Sequence, residues 1–270
     1  MPEPQRAKFV ETRQHLRFTE FADFCRGNRF LGICTGRPGV GKEASALAYS
    51  KWASMQGLLD RPRRPCTPPP KLENYHTAFW DAEISCTIKR LTSALNGLRN
   101  KFDRVMSDSM NWHQPDRLRQ NQLPCDEFLE LIIINQAQRL SLLCLDAIND
   151  FRKKNKIGFV LLAVPGFDRK LKLYDQVGND VALFHEYASP RSEELKQILE
   201  LRWSKEITVE DAAITVIEAV TNSNIQRALN VQAEIERVRA INSCNTISPE
   251  LVQAATSSLL LEESARVKAS

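Results

Sequence analysis

No apolar run in the 270-residue sequence approaches the roughly 18 residues that a membrane-crossing helix requires, so no membrane partner is expected. The opening MPEPQRAKFVETRQ is polar and lacks an apolar signal core, which points away from secretion and towards the cytoplasm. The seven cysteines form no CxxC pair and no His/Cys cluster, so reduced thiols are expected rather than a disulfide framework or a zinc site. Histidine is scarce, and His76, His113 and His185 sit in no visible nucleophile–carboxylate arrangement. Aromatics make up only 7% of the chain; Trp52, Trp80, Trp112 and Trp203 are dispersed, as core or interface packing would place them, and form no stacking platform for nucleic acid. Charge of neither sign dominates. A net charge of +4 is compatible with nucleic-acid contact without indicating it.

With 43% hydrophobic residues, the chain can bury one large core, or a main domain with a smaller companion. Phe18, Phe21 and Phe24 recur at helical spacing near the start. Arg29–Gly36 reads as a buried strand running into a glycine-rich turn, followed by an alanine-rich helix over Lys42–Gly57. Asp60–Lys71 holds five prolines and reads as an exposed loop. Strands are expected over Tyr75–Ile84, Leu131–Ile134 and Ile157–Val164, with helices over Thr87–Phe102 and Leu142–Lys153 and a loop over Ser107–Leu123. Near-continuous apolar strands alternating with helices indicate an α/β domain with a mostly parallel sheet covered on both faces. From Ser192 onward the pattern is all-helical, with Ser248 as an N-cap and Pro249 at the first helical position. The expected organisation is an N-terminal extension (1–28), an α/β nucleotide-binding domain (29–190) and a small helical domain (191–270).

GRPGVGKE, residues 36–43, fits the phosphate-loop pattern G-x-x-x-x-G-K between a buried strand and a helix. Gly36, Arg37, Pro38, Gly39, Val40 and Gly41 would turn backbone N–H groups inward around phosphates, the helix N-terminus would add a favourable dipole, and Lys42 would supply a point charge. ATP is the expected ligand. The next position departs from the pattern: in place of a hydroxyl for Mg²⁺ stands Glu43, which either ligates the metal from a longer arm or repels the phosphates.

The strand Leu131–Ile134 shows a second departure. In phosphate-loop ATPases such a strand ends in an aspartate that holds Mg²⁺ and a glutamate that polarises the attacking water. Here it ends in Asn135 and Gln136, amides of nearly the same shape without the charge. Asn135 would still accept a bond from a metal-bound water, and Gln136 would orient a water while being a poor base. Losing such a group commonly slows reaction by roughly 10² to 10⁴.

These two motifs, with VLLAVPGFDRKLKLYDQVGNDVALFHEY (160–187) and TNSNIQRALNVQAEIERVRAIN (221–242), resemble the transposition helper ATPases of the TniB, TnsC and MuB type, in the AAA+ superfamily. The likeness runs from about Phe30 to Leu261. The resemblance implies an AAA+ α/β domain followed by a helical lid, and ATP-dependent ring or helical homo-oligomers on double-stranded DNA that recruit a transposase or targeting adaptor. It also marks departures. Asp180 stands where the family's arginine reaches a neighbouring subunit's γ-phosphate, and Gln226 where an arginine senses nucleotide, with Arg227 beside it as a substitute. With Glu43, Asn135 and Gln136, these point to a pseudo-ATPase. Phosphate contacts to DNA are expected from Lys89, Arg90, Arg99, Lys101, Arg104, Arg117 and Arg119, independent of sequence and weakening with salt. Two other readings stay open. One is an active ATPase, with Glu43 on Mg²⁺ and Glu127 or Glu130 as base; the other is a non-enzymatic subunit whose Asp180 blocks an active paralogue's site.

Overall fold

The computed structural model describes residues 9–60, 70–113, 128–172, 178–203, 207–242 and 245–257. Arg117, Arg119, Glu127 and most of the proline-rich segment lie outside them.

The described residues pack as two compact units, with Arg37–Lys42 grouped with Tyr187 and the residues after it. In the larger unit five strands form one parallel sheet: β1 (Leu31–Thr35), β2 (Thr77–Asp81), β3 (Leu131–Asn135), β4 (Gly158–Ala163) and β5 (Val181–Glu186), in the order β2-β3-β4-β1-β5. Burial explains why the central strands read so clearly. Ile132, Ile133 and Ile134 are 0% exposed, and burying each contributes about 1.5–3 kcal/mol before entropy is counted. β5 is an edge strand whose residues alternate between half-buried and exposed, so it lacks the continuous apolar run that marks the others.

Helices flank this sheet: α1 (Arg13–Asn28), α2 (Lys42–Ser50), α3 (Trp52–Leu59), α4 (Ile88–His113), α5 (Leu142–Asn155) and α6 (Phe167–Lys172). α1 sends Phe18, Phe21, Ala22 and Cys25 into the core, while Phe24 is exposed. Burial pushes the Cys25 thiol up to about 12, which leaves it an inert core side chain. The expected single helix over 42–57 is two, because Lys51 takes a left-handed conformation (φ 51°); Gly57 lies inside α3 rather than closing it. α4 continues to His113, through the start of the stretch expected as loop. Phe102, Val105, Met106 and Ser109 keep one face buried, and Ser109 Oγ donates to Pro70 O at 2.7 Å. α5 is capped by Ser141, whose Oγ accepts from Cys144 N at 3.2 Å.

His185, on β5, stacks on Phe21 with ring centroids 5.4 Å apart. Burial, then the charge of Arg17, lowers its pKa below the ordinary 6.5. The unfolded chain therefore takes up the proton first, and stability falls as pH drops through the ordinary histidine range. Thermal denaturation of wild type between pH 7.5 and 5.5 should show that decline, and His185→Gln should flatten its slope.

The second unit contains α7 (Ser192–Glu200), α8 (Asp211–Thr221), α9 (Ile225–Asn242) and α10 (Pro249–Thr256) around Leu195, Leu199, Ile217, Val231, Ile235 and Val252, all 0% exposed. Ser248 caps α10 as expected, its Oγ accepting from Leu251 N at 3.5 Å. The segment is not wholly helical. β6 (Thr208–Val209) and β7 (Thr246–Ile247) pair in parallel, too short to leave a period in the sequence. Among the described residues no helix is long and apolar enough to cross a membrane.

Candidate functional site: the phosphate loop and the carboxyl edge of the sheet

β1 ends at Thr35, and the chain turns through Gly36–Gly41 before α2 opens at Lys42. Two positions in this turn require glycine: Gly39 has φ 79° and Gly41 φ 103°. A β-carbon at Gly39 would also lie 2.4 Å from Asn224 Oδ1. Three successive carbonyls of the loop are held by donors. Arg37 O accepts from Lys42 Nζ at 2.9 Å, Pro38 O from Asn224 Nδ2 at 2.7 Å, and Gly39 O from the Gln226 backbone N–H at 3.2 Å. Across a trans peptide the N–H points opposite to the C=O. Fixing these carbonyls therefore turns the N–H groups of Gly39 and Val40 to the other side of the loop, as a nest for an anion requires. The glycines and the lysine thus fit a phosphate chain.

A cavity of about 640 Å³ opens along this loop, lined by Arg37–Val40, Ser189, Thr221, Asn222, Asn224, Gln226 and Arg227. That lies within the roughly 300–1,000 Å³ usual for small-ligand sites. Both candidates for the nucleotide-sensing position, Gln226 and Arg227, line it. The Gln226 side chain donates to Asn230 Oδ1 at 3.3 Å, and Arg227 N donates to Asn224 Oδ1 at 3.0 Å. Asn224 is a residue that sequence reasoning passed over; its amide bonds the loop on one side and starts α9 on the other.

The turn that presents Asn224 is strained. Asn222 (φ 51°) and Ser223 (φ 52°) are consecutive non-glycine residues in the left-handed region, where an L-residue costs roughly 1–2 kcal/mol. Replacing both by glycine should stabilise the protein by about 1 kcal/mol, the relief being offset in part by a freer unfolded chain. Chemical denaturation would read this as a higher midpoint at unchanged slope.

At the carboxyl edge of the sheet, Asn135 is the last residue of β3 and Gln136 follows in a left-handed conformation (φ 55°). Both ends of the Asn135 side chain are engaged: Nδ2 donates to Asp81 Oδ1 at 2.7 Å, and Oδ1 accepts from Gln136 N at 3.0 Å. Asp81, the exposed last residue of β2, is a second residue the sequence reading missed. It ends the apolar run AFW much as Asn135 ends LIII, but only strand order places the two side by side. Glu43 is exposed on α2. Among the described residues no three His, Cys, Asp or Glu side chains are grouped to hold a metal ion.

Glu130 does not stand in for a base at this edge. It precedes β3, at the opposite end of the strand from Asn135, about 16 Å away at the usual strand rise. There it pairs with Arg29 at 3.2 Å and Arg26 at 3.7 Å.

Of the residues expected to meet DNA, four have partners within the protein. Arg90 pairs with Glu83 at 3.6 Å and Lys101 with Asp60 at 3.1 Å. Arg99 pairs with Asp103 at 3.5 Å and donates to Asn155, and Arg104 donates to Leu59 O at 2.9 Å. Lys89 is exposed at the start of α4. Asp180 is held against α5: its Oδ2 accepts from Asn149 Nδ2 at 2.6 Å and from Lys153 Nζ at 2.7 Å, and Arg152 lies 3.4 Å from Oδ1. These bonds, with Lys153 first, lower its pKa below the ordinary carboxylate value.

A parallel sheet in this strand order, flanked by helices and with a glycine-rich loop after β1, matches the fold of AAA+ P-loop neighbours. The RuvB Holliday junction branch migration motor of Thermotoga maritima superposes with a TM-score of 0.57 at 14% identity, over 93% of this chain and 70% of RuvB. The ORC2 protein of Aeropyrum pernix, in its ADPNP–ADP complexes, gives 0.59 at 17% identity, over 95% of this chain and 69% of that one. A Staphylococcus aureus protein described as a potential ATP-binding protein is 25% identical over 270 residues, 94% of this chain and 97% of its own. No family model matches the chain.

Proposed function

We propose that the protein binds ATP at Gly36–Glu43 and acts as a regulator of DNA transposition that assembles on double-stranded DNA, recruits or activates a transposase or targeting adaptor, and hydrolyses nucleotide poorly. One observation carries the nucleotide part: three loop carbonyls pinned in succession beside two left-handed glycines, with Lys42 opening the helix. The description of the S. aureus relative supports the same ligand. Support for DNA comes from the name of the RuvB motor and from exposed Lys89; support for transposition comes from the motif resemblance set out above. Poor hydrolysis is supported by Asn135, whose amide is bonded at both ends and brings no charge. Should Mg²⁺ accompany the nucleotide, Glu43 is the carboxylate nearest the loop in sequence, and Mg²⁺ would supply charge neutralisation at the phosphates.

The test pairs binding with turnover. ATP at a hundredfold excess over its dissociation constant should stabilise the protein by about 2.7 kcal/mol, read as a raised Tm. Phosphate release with ATP, Mg²⁺ and duplex DNA should match buffer, and turnover at ordinary ATPase rates refutes impaired hydrolysis. Duplex binding should be indifferent to sequence and weaken steeply with salt.

A further inference from the structure

β2 and β3 are adjacent parallel strands whose register pairs Asp81 with Asn135. Each is the last residue of its strand, so the two side chains stand together at the carboxyl edge, where open α/β sheets place their ligands. A carboxylate only accepts hydrogen bonds, so at 2.7 Å from Asp81 Oδ1 residue 135 must present a donor. The amide does so with its NH₂, and its carbonyl then meets the Gln136 N–H at 3.0 Å. The residue held in this way has a left-handed backbone, a conformation that costs energy and persists only under restraint. Ala82 N completes the link, donating to Asn135 O at 3.1 Å.

We infer that Asp81 is a positioning residue of this edge: it carries the acid that related sites carry on β3, requires an uncharged donor at residue 135, and through that donor orients Gln136. An aspartate at 135 would set two carboxylates at hydrogen-bond distance, and one of them would have to take up a proton. The amide at 135 is therefore the complement of Asp81, and restoring the acid there alone gives a strained pair instead of a metal-holding group. The pairing stands on the two strands by themselves; its bearing on hydrolysis rests on the nucleotide reading above.

Full-length N135D, D81N and D81N/N135D, compared with wild type, decide the matter by thermal unfolding between pH 5 and 8.5. N135D should melt roughly 5–10 °C lower at pH 8. Its deficit should shrink on acidification, because a shared proton raises the folded-state pKa above the unfolded one and the stability it brings is lost as pH rises. The exchanged pair D81N/N135D should return to within about 2 °C of wild type, with a parallel pH profile. An N135D deficit that is absent or does not vary with pH overturns the inference, as does a double variant no better than N135D. Turnover by N135D at about ten times wild type or more also overturns it, since one acid would then have sufficed. Failure to bind ATP would sink the proposed function while leaving the melting comparison decisive.

Discussion

Gly39→Ala is expected to lower stability by about 1.5–3.5 kcal/mol, from two separable causes. At φ 79° an alanine pays the left-handed penalty of roughly 1–2 kcal/mol. Its β-carbon would also lie 2.4 Å from Asn224 Oδ1 and 2.8 Å from Nδ2, so the Asn224 side chain must leave. That departure breaks its bond to Pro38 O, and with it about another 0.5–1.5 kcal/mol. The two causes are distinguished in an Asn224→Ala background, where the clash is already gone and only the conformational penalty remains. The cycle should therefore show coupling of about 1 kcal/mol or more, measured by denaturant unfolding. Gly97→Ala is the control, since Gly97 lies within α4 with nothing within 4 Å of a new β-carbon. It should be mildly stabilising, as helix propensity dictates.

Most of the sheet was legible because its inner strands are buried on both faces and so read as unbroken apolar runs. The edge strand β5 escaped for the same reason reversed: Ala182, Phe184 and Glu186 face solvent, so its sequence VALFHE mixes polar and apolar residues. The second half of α4 was obscured by Ser107, Asp108 and Asn111, polar residues that suggest a loop until the buried positions Phe102, Val105, Met106 and Ser109 are seen to follow the helical period. At the site, local chemistry was legible and partnership was not. The glycines and lysine announce a phosphate loop, because spacing along the chain is what that motif consists of. Asn224 meets the loop from 186 residues away, and Asp81 meets Asn135 from 54 residues away. No local pattern encodes such pairs; they follow from topology. The same limit applies to charge. Arg99 and Arg104 look in sequence like any basic residues, yet each bonds within the fold, to Asp103 and Asn155 and to Leu59 O respectively.

Lys42→Ala should leave the fold nearly unchanged while weakening ATP binding at least about 100-fold. In the structure the ammonium donates to Arg37 O at 2.9 Å, a bond whose loss costs about 1 kcal/mol. Against a triphosphate the same group makes charge-assisted hydrogen bonds, roughly twice as strong as neutral ones. Titration with a fluorescent ATP analogue, beside a melting curve without nucleotide, reads both effects. A protein whose affinity survived the substitution would not be using this loop for phosphate. The neighbouring carboxylate supplies the sharper discrimination. If Glu43 repels the phosphates, Glu43→Gln tightens ATP binding whether or not Mg²⁺ is present, and more so at low salt, where the repulsion is least screened. If Glu43 ligates the metal, the same substitution weakens binding only when Mg²⁺ is present. The sign of one affinity change, measured with Mg²⁺ and with a chelator, therefore tells whether the charge at residue 43 opposes the ligand or takes the place of the hydroxyl that the motif lacks.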